Sequence, residues 1–287
     1  MSKKSIYIKV RDYSVSGEDF ELRHDEALDM LITTPQPSAI KLPDYYQSED
    51  YISHTDGRRN IFEKVYQFVK SIALKRKLKL INAQVKDTKT LLDMGSGTGD
   101  FLKIASQNGW SVTGIEPNEQ ARKAANQKVQ NRVFDIDVLS KLEHRSFDVI
   151  TLWHVLEHLP DVEAHLAVFN KLLKPDGVLI IAVPNFKSFD ASYYKEFWAA
   201  YDVPRHLWHF SQMAMSNLVS SQHMIIAKIL PMTFDAYYVC LLSEKYKTGI
   251  MNPIKAFWIG WRSNRKAATS GEYSSLIYVI KNKPTTN

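Results

Sequence analysis

Apolar residues at Ile61, Val65, Phe68, Val69 and Ile72 recur at spacings of three and four, which predicts an amphipathic helix from Asp56 to about Leu80. The period then changes. "TLLDMG" (Thr90 to Gly95) is a short apolar run closed by glycine, the pattern of a buried strand. Beyond it the elements alternate: a helix over Asp100 to Gly109, a strand over Trp110 to Pro117, and a helix over Asn118 to Lys128 opened by an asparagine cap. "RVFDID" (Arg132 to Asp137) and "FDVITLW" (Phe147 to Trp153) follow as strands, then a helix over Asp161 to Lys174 and a strand over Gly177 to Asn185. "MIIAKIL" (Met224 to Leu230) and "SSLIYVIKN" (Ser274 to Asn282) read as two closing strands, with roughly forty aromatic-rich helical residues between them. This alternation predicts an α/β fold: a doubly wound, mostly parallel sheet of about seven strands with helices on both faces.

The first fifty residues lack such a period and read as irregular or weakly β, with three prolines in "TTPQPSAIKLPDYY" (Thr33 to Tyr46). The organisation expected is an N-terminal extension, 1–50, and one large domain, 51–287, with substrate-side insertions at about 186–223 and 231–272.

Composition narrows the class. Cys240 is the single cysteine, so an internal disulfide and a Cys-rich zinc site are both excluded. The formal charge of +6 is concentrated in "SIALKRKLKL" and "WRSNRK", which read as solvated basic helix faces, so nucleic acid is not the expected partner. No apolar stretch follows "MSKK" and no apolar run approaches membrane-spanning length, so a cytoplasmic location is the expectation.

The chemistry concentrates in "LLDMGSGTGDFL" (Leu91 to Leu102), where a predicted strand turns through glycines into a predicted helix. A Walker-type phosphate loop would need Lys and Ser or Thr after the last glycine, and Asp100 and Phe101 stand there instead. A dinucleotide fingerprint fits Gly95 and Gly97 but would place its third small residue at Asp100. A carboxylate about 4 Å from a phosphate oxygen would repel it by about 4 kcal/mol at an effective dielectric near 20, which disfavours NAD. A ligand that is uncharged or cationic near Asp93 and Asp100, with hydroxyls near Glu116, suits the loop better. S-adenosylmethionine has an ammonium, a sulfonium, a ribose diol and no phosphate.

"LLDMGSGTGDFL", "VTGIEPN", "FDVITLWHVLEHLPD" and "LLKPDGVLIIAVPN", in this order, resemble the landmark segments of the class I S-adenosylmethionine-dependent methyltransferases, in the subgroup that includes ubiquinone-biosynthesis-like enzymes. The resemblance covers Tyr51 to Asn185 and implies a Rossmann-like fold with S-adenosyl-L-methionine as cofactor and S-adenosyl-L-homocysteine as product. It implies that Asp93 and the loop Gly95, Ser96, Gly97, Thr98 and Gly99 line the methionine and ribose side. Glu116, followed by Pro117, would take the ribose, and Asp137, ahead of Asp135, would lie beside the adenine. Trp153 and His154 would stand near the sulfonium.

Methyl transfer needs the acceptor held in line with the methyl group, and an acidic acceptor gains from a base. His154 and His206 are the candidate catalytic residues, ahead of Glu157, His158 and His209. No metal is expected, since the H-E-x-x-H order is absent around His154 and His158. Tyr46, Tyr51 and His54 are weaker candidates for closing over the cofactor. "LWHVLEH" also lacks the Asn or Asp, paired prolines and aromatic typical of enzymes that methylate base amines. The reading is a methyltransferase acting on an oxygen or carbon of a small aromatic or lipidic acceptor. The rivals are a nicotinamide-dependent oxidoreductase and a non-catalytic cofactor- or RNA-binding module.

Overall fold

The computed structural model describes residues 4–38, 40–46, 61–85 and 89–283. In chain order the chain begins with β1 (Lys4–Arg11), β2 (Asp19–Asp25) and β3 (Met30–Thr34), then a long helix α1 (Ile61–Asn82). The alternating part follows as β4 (Thr90–Met94), α2 (Asp100–Gln107), β5 (Ser111–Ile115), α3 (Glu119–Val129), β6 (Val133–Phe134), β7 (Phe147–Trp153), α4 (Val162–Leu172) and β8 (Leu173–Pro184). Next come α5 (Phe189–Tyr194), β9 (Trp208–His209), α6 (Gln212–Ser221), β10 (Met224–Pro231), α7 (Asp235–Thr248), α8 (Pro253–Ser270) and β11 (Ser275–Asn282).

Among the described residues the main sheet has seven strands in the order β10-β11-β8-β7-β4-β5-β6. Strands β4 to β8 pair in parallel, and β11 runs antiparallel between β8 and β10. This is the doubly wound sheet predicted. Its central strands are buried on both faces, so Leu91, Leu92, Val149, Ile150, Val178 to Ala182 and their neighbours form near-continuous apolar runs. The winding direction reverses at β4, which pairs with β5 on one side and β7 on the other. Ligands in such sheets bind at the carboxyl ends of the strands flanking that reversal.

Three elements differ from the sequence reading. The strand expected over Arg132 to Asp137 keeps only Val133–Phe134, because the Asp135 side chain accepts the Ile136 N–H (2.6 Å) and opens a short 3-10 helix, Ile136–Lys141. The N-terminal region is regular: β1, β2 and β3 form an antiparallel meander, continued by β9 through Leu31↔His209 and Ile32↔Trp208. The alternation there escapes notice because the strands are only half-buried, so apolar and polar positions do not separate cleanly. Finally, α6 buries Ala214, Met215, Leu218 and Val219 in the main core, so it covers the sheet, and the insertion after β8 ends before it.

The N-terminal strands and both insertions share a second core. Val10, Phe20, Leu22 and Leu31 pack with Phe186, Tyr194, Trp198, Tyr201, Cys240 and Ile259. This cap stands on the side of the sheet where the strands end. Its joint to the sheet is polar: Thr33 Oγ1 donates to the His206 carbonyl (2.6 Å), and the Leu207 N–H donates to the Glu157 carbonyl (2.8 Å).

Candidate active site

The loop after β4 turns through Gly95, Gly97 and Gly99, with φ of 69°, 54° and 77°. All three occupy the left-handed region that glycine tolerates best. Their surroundings differ. A Cβ on Gly95 would lie 2.5 Å from Val155 Cγ2, and one on Gly99 would lie 2.8 Å from Ala125 Cβ, so both permit close packing of the loop on its neighbours. At Gly97 nothing lies within 4 Å of the Cβ position, and the backbone faces open space. Among the three, Gly97 has the most open surroundings. Between them, the Gly95 and Ser96 N–H groups both donate to the Ile115 carbonyl (2.8 and 3.0 Å), and the Ser96 hydroxyl is buried without a hydrogen bond among the described residues. Thr98 offers its carbonyl to Lys128 Nζ (2.7 Å).

Two buried carboxylates bracket this loop. Glu116, directly after β5, accepts the Gly97 N–H on Oε2 (2.7 Å) and the Asn118 N–H on Oε1 (3.0 Å). Burial raises its carboxyl, and these two backbone donors hold it down. Glu116 thus shapes the loop as well as offering oxygens to it. Pro117 is exposed, and its carbonyl accepts from Arg122 Nη1 (2.9 Å).

Asp93 is 2% exposed near the end of β4, and its Oδ1 accepts the Thr151 hydroxyl proton (2.6 Å). Burial pushes its carboxyl up to about 7, against the lowering effect of Thr151 and Lys77. Lys77 is the partner that sequence reading missed. It comes from α1 with its Nζ 4.4 Å from the Trp153 ring centroid, and burial pulls the amine down to about 8 against the attraction of Asp93 and Asp235. The available signal was its place in the apolar stripe, since Leu74, Lys77 and Leu78 sit at spacings of three and four.

Asp100 corrects part of the sequence argument. Its carboxylate accepts from Lys128 Nζ on one oxygen and Lys70 Nζ on the other, each at 2.6 Å, so it is neutralised by α1 and α3. The repulsion invoked against a phosphate does not act in the form expected. A different observation takes its place: Lys70 and Lys128 are engaged by Asp100, and Arg122 is engaged by Asp135 at 2.8 Å. Asp135 also caps its own short helix, and Asp137 is an exposed carboxylate beyond β6.

Trp153 ends β7, partly exposed, with its indole edge-to-face on Phe101 and its Nε1 unpartnered among the described residues. His154 follows in a left-handed conformation (φ 58°) that non-glycine residues seldom adopt. Its Nε2 lies 2.9 Å from Asp235 Oδ2 and its Nδ1 3.3 Å from Glu157 Oε1. Burial works against the charged ring, but the two carboxylates outweigh it and carry His154 up to about 10. The two carboxylates thus favour the charged form of the ring. Asp235, from the second insertion, is the residue sequence reading missed here.

His206 is buried in the cap joint, with Nδ1 facing the Ala200 carbonyl (2.9 Å) and its ring 4.6 Å from that of His158. It stands with His158 and Glu157, away from the glycine loop's own contacts. Tyr46 reaches His158 Nδ1 through its hydroxyl (3.0 Å), while Tyr51 and His54 lie outside the described residues.

A doubly wound sheet with an open glycine backbone between two buried carboxylates defines a Rossmann-like ligand-binding domain. A family model described as a methyltransferase domain matches residues 63–222, and the chain belongs to that family. Curated relatives include the ubiquinone biosynthesis O-methyltransferase of Idiomarina loihiensis, 32% identical over 104 residues covering 34% of this chain and 43% of the relative. The enzyme of that name from Coxiella burnetii is 33% identical over 123 residues, 39% of this chain and 52% of the relative. The matched region spans about half the length of these relatives. Among solved structures, magnesium protoporphyrin IX methyltransferase from Synechocystis with bound SAH has a TM-score of 0.57 at 16% identity, covering 86% of this chain and 100% of that one. A SAM-dependent methyltransferase from Archaeoglobus fulgidus has a TM-score of 0.52 at 17% identity, covering 77% and 98%. At these identities the likeness is one of fold. Among the described residues no helix is long and apolar enough to cross a membrane.

Proposed function

We propose that the protein transfers a methyl group from S-adenosylmethionine to an oxygen or carbon of a small aromatic or lipidic acceptor, leaving S-adenosylhomocysteine. The observation that carries this reading is the charge around the loop: Asp93 and Glu116 flank the open Gly97 backbone, while the nearby Lys70, Lys128 and Arg122 are engaged by carboxylates. An ammonium and a ribose diol would find buried acceptors there in Asp93 and Glu116, which a pyrophosphate could not use.

When bound, the cofactor supplies an electrophilic methyl group on its sulfonium. Asp93 takes the ammonium, and Lys77, beside it, takes the carboxylate end. Glu116 accepts from the ribose while fixing Gly97 close to it, and Asp137 lies on the adenine side. Trp153 and His154, at the end of β7, would border the sulfonium. The cap closes the acceptor side and excludes water, so that positioning supplies much of the rate. His154 serves as a charged, oriented donor tied to Asp235 and Glu157. The name of the curated relatives, O-methyltransferases, favours an oxygen acceptor.

Calorimetric titration of the full chain with S-adenosylhomocysteine and, in parallel, with NAD tests the reading. Binding of the first at micromolar strength, about 8 kcal/mol, with none of the second is the expected result. Binding of NAD alone, or of neither, overturns it.

A further inference from the structure

The turn after β7 and the segment before β9 bring Glu157, His158 and His206 together, with one potential ligand atom from each lying within 4.8 Å of the others. Glu157 is fully buried, and neither of its carboxylate oxygens accepts a hydrogen bond among the described residues. The His154 ring approaches Oε1 through Nδ1 at 3.3 Å, which leaves Oε2 without a partner among the described residues. A buried carboxylate left in this state is costly, and a cation is what would satisfy it.

The two histidines are set up as donors to such a cation. The His158 Nδ1 faces the Arg205 carbonyl at 3.0 Å, and the His206 Nδ1 faces the Ala200 carbonyl at 2.9 Å. A carbonyl can only accept, so each contact places the proton on Nδ1 and leaves the Nε2 lone pair available. That is the arrangement in which a second partner orients a metal-binding imidazole. The rings stand 4.6 Å apart and nearly perpendicular, 76° between planes.

The wider surroundings favour positive charge. Asp202 Oδ2 lies 3.7 Å from His206 Nε2, and the other Asp202 oxygen accepts from Arg205. His154 is shared between Glu157 and Asp235. Three carboxylates, Glu157, Asp202 and Asp235, thus face two cations, Arg205 and His154.

We propose that Glu157, His158 and His206 form a binding site for a divalent cation of the zinc type, at the joint between the cap and the sheet. Two imidazoles and one carboxylate are a donor set that borderline divalent cations accept, and three protein ligands leave coordination positions open. A purely structural polar clamp would be expected to supply hydrogen-bond donors to both Glu157 oxygens, and Oε2 has none among the described residues. The site adjoins the cofactor reading without resting on it: Glu157 also pairs with His154, while His158 and His206 lie away from the glycine loop.

The test uses the full chain, stripped with a chelator, dialysed and titrated with Co²⁺ alone. The expected result is saturation at one equivalent with visible absorption bands from the bound ion, abolished by added Zn²⁺, and a Zn²⁺-dependent rise in melting temperature. Glu157→Gln and His158→Gln should each weaken Co²⁺ binding by about a hundredfold or more, since each removes a direct ligand. Absence of a saturable equivalent together with an unchanged melting temperature in Zn²⁺ overturns the proposal, even if the variants fail to fold. Undiminished binding in folded Glu157→Gln also overturns it. Titration with S-adenosylhomocysteine on the same sample keeps failure of this site distinct from failure of the methyltransferase reading.

Discussion

Asp93 links protonation to ligand binding. Its carboxyl, pushed by burial to about 7, must be ionised to pair with an ammonium, so below pH 7 binding has to expel a proton. Lys77, pulled to about 8, loses its charge above that pH and with it the attraction for a carboxylate. The affinity for S-adenosylhomocysteine should therefore peak between pH 7 and 8 and fall up to about tenfold per unit on the acid side. Calorimetry from pH 5.5 to 9 with the wild type and Asp93→Asn checks this, since the variant should lose the acid limb. His154 makes a second residue-scale prediction. A group raised from 6.5 to about 10 in the folded state contributes stability that is full below pH 6.5 and is lost as pH rises towards 10. The stability difference between the wild type and His154→Gln should shrink over that window in urea titrations. A constant difference would mean that His154 acts by packing alone. Both predictions rest on residues whose identity was legible in the sequence and whose environment was not: Asp93 was assigned to the cofactor, but no periodicity could show that Lys77 lies beside it.

At the scale of elements, the strand-loop-helix unit β4-α2 assigns different roles to glycines that look alike in sequence. Gly99→Ala sets a Cβ 2.8 Å from that of Ala125, at a φ of 77°, and should cost about 1–3 kcal/mol of folding stability as overpacking. Gly97→Ala meets no atom within 4 Å and should cost stability only about 1–2 kcal/mol through its φ of 54°, while weakening S-adenosylhomocysteine binding more than Gly99→Ala does. Chemical denaturation and calorimetry on the two variants separate these effects. The unit itself was legible, because a buried strand, a glycine turn and an amphipathic helix each carry their own local pattern. The truncation of β6 was not foreseen, since Asp135 fits a strand end as well as the helix cap it forms. The outer partner of β3 was equally obscure: β9 is two residues long and lies more than 170 residues away.

At the scale of the whole molecule, the cap depends on that remote pairing. Leu31 is fully buried in the second core, where β3 meets residues of both insertions. Leu31→Ala should destabilise the protein by about 2–5 kcal/mol, the usual cost of a cavity in a tight core. Urea denaturation measures the loss, and a value below about 1 kcal/mol would show that the N-terminal sheet is only loosely joined to the cap.

The sequence by itself determined the doubly wound order of strands and helices, the position of the glycine loop at the end of the first central strand, and Glu116 as its neighbour. These are properties of local period and of turns between adjacent elements, which neighbouring residues encode. Only the tertiary structure decided which charge meets which: Asp100 with Lys70 and Lys128, His154 with Asp235 81 residues away, and Glu157 with His158 and His206. Those pairings depend on how distant segments pack against one another, and burial then sets the protonation of every group they enclose.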